Sequence, residues 1–187
     1  QLAERFLNLD HRQDRLQQSF QWRSLTGANC KAKSRTMPKV DLAAIPLDPK
    51  VGYPSQLAKP FAGRSYQRLT RLAGLTDFGV NIVVLEPGAW SSQRHWHAAE
   101  DEFVVVLEGE AVLVEDAGRT PLKAGECASF PKNNGNGHHL VNESDAPMRF
   151  LVVGSAGDNG PCHYPDVDLY LDGAIDRYRH KDGSFWE

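Results

Sequence analysis

Residues 88–109 read GAWSSQRHWHAAEDEFVVVLEG: two histidines separated by one residue, a glutamate five positions after the second, then an apolar run that a glycine closes. In a strand, alternate side chains share a face, so His95 and His97 point the same way with Trp96 opposed. Their Cα atoms then lie roughly 6.6 Å apart, which lets two imidazoles lean onto one ion. After the polar turn AAED, Glu102 opens the next strand with Val104 and Val106 on its own face and Phe103, Val105 and Leu107 on the other. Both faces are apolar beyond the glutamate, the pattern of a strand held between two layers. A carboxylate at the mouth of such a strand is costly to bury charged unless a positive group sits against it. A divalent cation supplies that charge.

Outward from this stretch the texture is all-β. FGVNIVVLEPG, EFVVVLEG, EAVLVEDAG, ECASFPKNNGNG, HHLVNESDAP and RFLVVGS are short β-branched runs cut by glycine, proline and asparagine, and they predict six strands in a sandwich or barrel. EPGA, LEGE, LKAGE and NNGNG carry the residues that tight reversals require. FPKNNGNGHHLVN sets His138 and Leu140 on one face and His139 and Val141 on the other. Parity alone leaves open which of the two histidines joins the first pair.

Two spaced patterns run through these segments. Gly88, six residues, His95, Trp96, His97, four residues, Glu102, six residues and Gly109 form the first; Gly125, ECASF, Pro131, KNN, Gly135, NG, His138, HLV and Asn142 form the second. They resemble the two motifs of the cupin superfamily, with an opening gap one residue longer than usual and a Pro131–Gly135 interval two residues longer. The resemblance implies a single cupin β-barrel of the jelly-roll type over about residues 64–155, with His95, His97, Glu102 and His138 as metal ligands. From Met37 onward the chain is similar to bacterial single-domain cupins, some of which are labelled sugar-phosphate-isomerase-like.

The flanks read differently. Residues 1–36 carry seven basic and three acidic side chains, leaving 14 basic and 21 acidic for the remainder, and Phe6, Leu9, Leu16 and Phe20 recur loosely at helical spacing. They read as an N-terminal arm with a short helix, ahead of a domain over 37–187 whose opening, MPKVDLAAIPL, looks like a natural start. Prolines at 38, 46, 49, 54 and 60 rule out a long regular element before Gly63 and predict an extended strap. The tail, 156–187, reads as irregular, with a short helix around Ala174–Tyr178.

Composition excludes several function classes. With 21 Lys and Arg against 24 Asp and Glu there is no basic surplus for nucleic acid. No apolar run approaches the roughly 20 residues of a membrane span. Three scattered cysteines without a CxxC pair point to a reducing cytoplasm. Cys127, mid-strand, reads as a small buried filler. Cys162 and His163, being adjacent, point apart and make no second metal site.

Three imidazoles and a carboxylate suit one divalent ion such as Zn, Mn, Fe or Ni. Open coordination positions beside them favour a bidentate small-molecule substrate. The reading is a metal-dependent isomerase, epimerase or lyase acting on a sugar phosphate or hydroxy acid; the alternatives are an iron dioxygenase and a non-catalytic metal- or ligand-binding barrel. Tyr66, Ser91 and Gln93 are the candidate substrate contacts, and no catalytic base is assigned. A homodimer is expected, because Phe103, Val105 and Leu107 need cover that a strap or a second copy would provide.

Overall fold

The computed structural model describes residues 39–156 and 160–186, so the arm over 1–36 and its expected helix lie outside the described residues. Each apolar run named above forms a strand. In chain order the elements are β1 (Arg64–Arg68), a one-turn helix α1 (Thr70–Ala73), β2 (Phe78–Leu85), β3 (Trp96–His97), β4 (Glu102–Glu108), β5 (Glu110–Glu115), β6 (Gly118–Lys123), β7 (Cys127–Phe130), β8 (His139–Val141), β9 (Met148–Ser155), β10 (Cys162–Tyr164), β11 (Leu169–Asp172) and β12 (Arg177–Arg179). The proline-rich strap holds only three short 3-10 turns, as its composition requires.

Three sheets form among the described residues: β1-β2-β9-β4-β7, β6-β5-β8 and β12-β11-β10-β3. Their ladders stay separate rather than closing into one wall, but isolated bridges Trp90–Val141 and His95–His138 tie the segment before β3 to β8. This is the jelly-roll arrangement. β6 carries Pro121 and pairs only with β5, which is where a residue without an amide proton is tolerated.

Alternation fills the interior. Met148, Phe150 and Val152 of β9 and Val104 and Val106 of β4 turn inward against Ala111, Leu113, Leu122 and Leu140 of the three-stranded sheet. Each of the larger of these side chains, the valines, leucines, Phe150 and Met148, stabilises the fold by about 1.5–3 kcal/mol on burial. Gly109 closes β4 onto β5 at φ 75°, and a Cβ there would sit 2.9 Å from Met148 Cβ, so this motif glycine has no replacement without strain. Asn142 is fully buried: its Nδ2 donates to the carbonyls of Leu85 and Ala146 at 2.8 Å, and its Oδ1 accepts from the Ser144 amide at 3.0 Å. The second motif's asparagine is therefore the pin of the turn leading to β9.

Three expectations need correction. The tail is not irregular with a helix: β10, β11 and β12 form an antiparallel meander, and residues 173–176 are the turn before β12. Tyr164, Leu169, Leu171 and Tyr178 turn inward there and pack on Tyr53 and Phe61 of the strap, a second core that short strands can build because a neighbouring aromatic layer waits for them. Cys127 is exposed rather than buried, because it lies on the outer face of edge strand β7. Finally, β4 is covered on one face only. Ile45 and Leu69 cover Ile82 on the outer side of the large sheet, whereas Phe78, Phe103 and Leu107 stay 41–42% exposed.

Candidate metal centre

The site begins with a backbone bridge. The His95 amide donates to the His138 carbonyl at 3.1 Å and the His138 amide to the His95 carbonyl at 2.9 Å, so the two residues are directly opposed and their side chains share a face. Their rings lie 4.9 Å apart. This register settles what parity left open: His138 faces His95, while His139 sends its Nδ1–H to the Ser92 carbonyl at 2.8 Å and sits edge-on to Trp90. Arg94 braces the bridge from outside, donating to Asp166 at 2.8 and 2.6 Å and pairing with Asp116.

The ring nitrogens are oriented. His95 Nδ1–H donates to the Gln93 carbonyl at 2.9 Å, which leaves the lone pair of its neutral ring on Nε2. His97 turns its Nδ1 toward the Glu100 carboxylate at 3.8 Å and its Nε2 toward that of His95, at 3.2 Å. Two ring nitrogens so close need a proton or a cation between them. Glu102 Oε2 accepts from His138 Nε2–H at 2.8 Å. Burial pushes the Glu102 carboxyl above its ordinary value, with His95 opposing, so this group too gains from a positive neighbour.

The donor atoms of His95, Glu102 and His138 all lie within 4.8 Å of one another, and those of His95, His97 and Cys162 do likewise. His95, His97, Glu102 and His138 thus form a group able to hold a metal ion, and the residues present fit one. The opposed nitrogens and the buried carboxyl are the features that a cation relieves. Tyr66 and Ser91 line a cavity of about 40 Å³ together with His95, Glu102, His138 and Phe150. Gln93 does not join them: its Nε2 donates to the Leu57 carbonyl at 3.2 Å.

The cupin domain family matches residues 81–154. A solved structure of a cupin-superfamily sugar phosphate isomerase from Silicibacter pomeroyi is 45% identical, with a TM-score of 0.75, over 80% of this chain and 97% of that one. The chain belongs to the cupin superfamily. The polyketide cyclase RemF of Streptomyces resistomycificus is 25% identical, with a TM-score of 0.58, over 71% of this chain and 87% of its own. Among curated proteins no sequence matches this cupin.

The sequence reading passes over Glu100 and sets Cys162 aside. Glu100, in the AAED segment, is 4% exposed and holds its carboxylate 3.8 Å from His97 Nδ1. Its spacing of three from His97 was the available signal. Cys162 turns inward opposite His97, although its neighbour His163 does face the other way and stacks on Trp96 at 4.1 Å.

Proposed function

We propose that this cupin is a metal-dependent isomerase, epimerase or lyase acting on a small polar metabolite such as a sugar phosphate or hydroxy acid, with one divalent ion held by His95, His97, Glu102 and His138. One observation supports the reading: His95, Glu102 and His138, drawn from two separated stretches, bring donor atoms within 4.8 Å of one another, and His97 adjoins them through His95. The 45% identity to a sugar phosphate isomerase supports the reaction class. The donor set suits Zn, Mn, Fe or Ni.

When bound, the ion polarises a carbonyl and favours loss of a proton from the adjacent carbon. The chain's own residues do the rest. Val83, Val104, Phe150 and Val152 form a dry wall that keeps water from the reacting carbon. Tyr66 and Ser91 present hydroxyls in that wall, groups able to carry a proton between neighbouring carbons. A cavity of about 40 Å³ has room for an ion and a few water-sized groups.

The test is elemental analysis of the native protein followed by incubation with aldose and ketose phosphates in deuterated water. Deuterium should appear at the carbon beside the carbonyl, equally with and without oxygen, and chelation should abolish the exchange. Turnover that requires oxygen would establish the dioxygenase reading instead; tight ligand binding with no turnover would establish a binding barrel.

The exposed band of Phe78, Phe103 and Leu107 favours a homodimer through the outer face of the large sheet, since a second copy would bury it symmetrically. Phe103→Lys should leave the fold intact and convert the dimer to monomer in sedimentation experiments, because the two-fold would set lysines against each other. A wild-type monomer ends this assignment. No described helix is long and apolar enough to cross a membrane, and the thiols of Cys127 and Cys162, which form no disulfide, accord with a cytoplasmic setting.

A further inference from the structure

The strand pairing that places His97 places a sulfur beside it. In the β3–β10 ladder Cys162 stands opposite His97, and directly opposed residues of an antiparallel pair share a face. Cys162 is fully buried, on the inner side with His97, while the intervening His163 points outward. Its Sγ and the nearest ring nitrogens of His95 and His97 all lie within 4.8 Å of one another. Around a tetrahedral ion with ordinary metal–nitrogen and metal–sulfur bond lengths, neighbouring donor atoms are separated by roughly 3.5 Å. The cluster is thus close to ligating dimensions, and His95 belongs both to it and to the group with Glu102 and His138.

The competing role is packing. Cys162 touches the aromatic core of Tyr53, Phe61 and Tyr164, where a small apolar side chain fits. A filler does not account, however, for the approach of its sulfur to the two imidazoles whose Nε2 atoms face each other at 3.2 Å.

Resting on the metal-site reading above, we infer that Cys162 is a sulfur donor to the ion held by His95 and His97, so that the centre combines imidazole, carboxylate and thiolate ligands. A thiolate shifts selectivity toward borderline and soft cations such as Zn and Co and away from Mn. Ligation releases the thiol proton to solvent, with no change in oxidation state.

Cobalt(II) is the probe. The full chain titrated with cobalt should develop a near-ultraviolet thiolate-to-cobalt charge-transfer band alongside the visible absorption of the bound ion. The sequence contains three cysteines, so a Cys30→Ser/Cys127→Ser double variant that keeps the band assigns it to Cys162 even if variants at 162 fold poorly. Cys162→Ser should lose the band, still bind cobalt, and weaken zinc by about tenfold or more relative to manganese. Cobalt bound to the wild-type chain without the band, or a band that survives Cys162→Ser, overturns the sulfur ligand and leaves the four-residue site standing. Failure of the wild-type chain to bind cobalt at all overturns both.

Discussion

Glu102→Gln should reduce metal affinity by about 100-fold or more, since outer-shell partners alone are worth roughly 10–100-fold and this residue is assigned to the ion itself. The substitution keeps the shape of the side chain and removes its charge. Glu102 lies at the entry of β4, paired with Phe130 of β7 and Gly154 of β9, so its backbone position is fixed from both sides whatever its head group. In the metal-free protein the buried carboxyl is held above its ordinary value by desolvation, and a neutral amide there costs no more than the acid did. The metal-free variant should therefore unfold at or above the wild-type temperature, while the stabilisation that added metal gives the wild type disappears. His97→Ala should strip the ion equally, though it leaves a hole beside Glu100. Elemental analysis after loading and desalting reads both variants, with circular dichroism as the control for fold. Full stoichiometry retained in either one removes that residue from the site.

How far the sequence could reach follows from which interactions are local. Val104 and Val106 alternate with Phe103 and Leu107, and that period of two marks a strand without any knowledge of its neighbours. The spacing of His95, His97 and Glu102 is likewise local, because one strand and one turn carry all three. His138 was legible only through its resemblance to a motif. What makes it the partner, rather than His139, is the mutual pair of backbone hydrogen bonds with His95, and such a register is set by two segments 43 residues apart. Cys162 fails to stand out for the same reason. Its distinction is to lie opposite His97, and nothing in PCHYPD announces a strand, since runs of three or four residues carry too little periodicity to separate a meander from irregular chain. Cys127 misleads in the opposite direction. ECASF alternates like a buried strand, but β7 is an edge, and its outer face meets solvent where the strap does not reach. The strap itself shows the limit most clearly: prolines predicted its lack of regular structure, yet only the fold reveals that Ile45 packs with Leu69 over Ile82 while Phe103 and Leu107 stay exposed.

The metal-free protein should lose stability in acid through His139, by about 3 kcal/mol in total. This ring is 5% exposed, and burial among Trp90, Leu140 and the Ser92 carbonyl lowers its value from 6.5 to about 4. Desolvation is the largest cause; the Ser92 hydrogen bond and Asp166 oppose it, and His95 and His138 reinforce it. The direction follows from which state takes up the proton. Above pH 6.5 the ring is neutral in both folded and unfolded chains, and its full contribution to stability is present. As pH falls through 6.5 the unfolded chain protonates while the folded one does not, so unfolding is favoured, and the loss is complete only below about pH 4, where the folded ring also accepts its proton. His139→Asn removes the titration and keeps a side-chain donor for the Ser92 carbonyl. It lowers stability near neutrality by opening space beside Trp90, but it should flatten the decline between pH 6.5 and 4 relative to wild type. Denaturant unfolding in the presence of a chelator, repeated across that range, separates this contribution from loss of the ion. Parallel pH curves for the two proteins would show that the folded ring protonates as readily as a free histidine and that its burial carries no penalty, which would overturn this account.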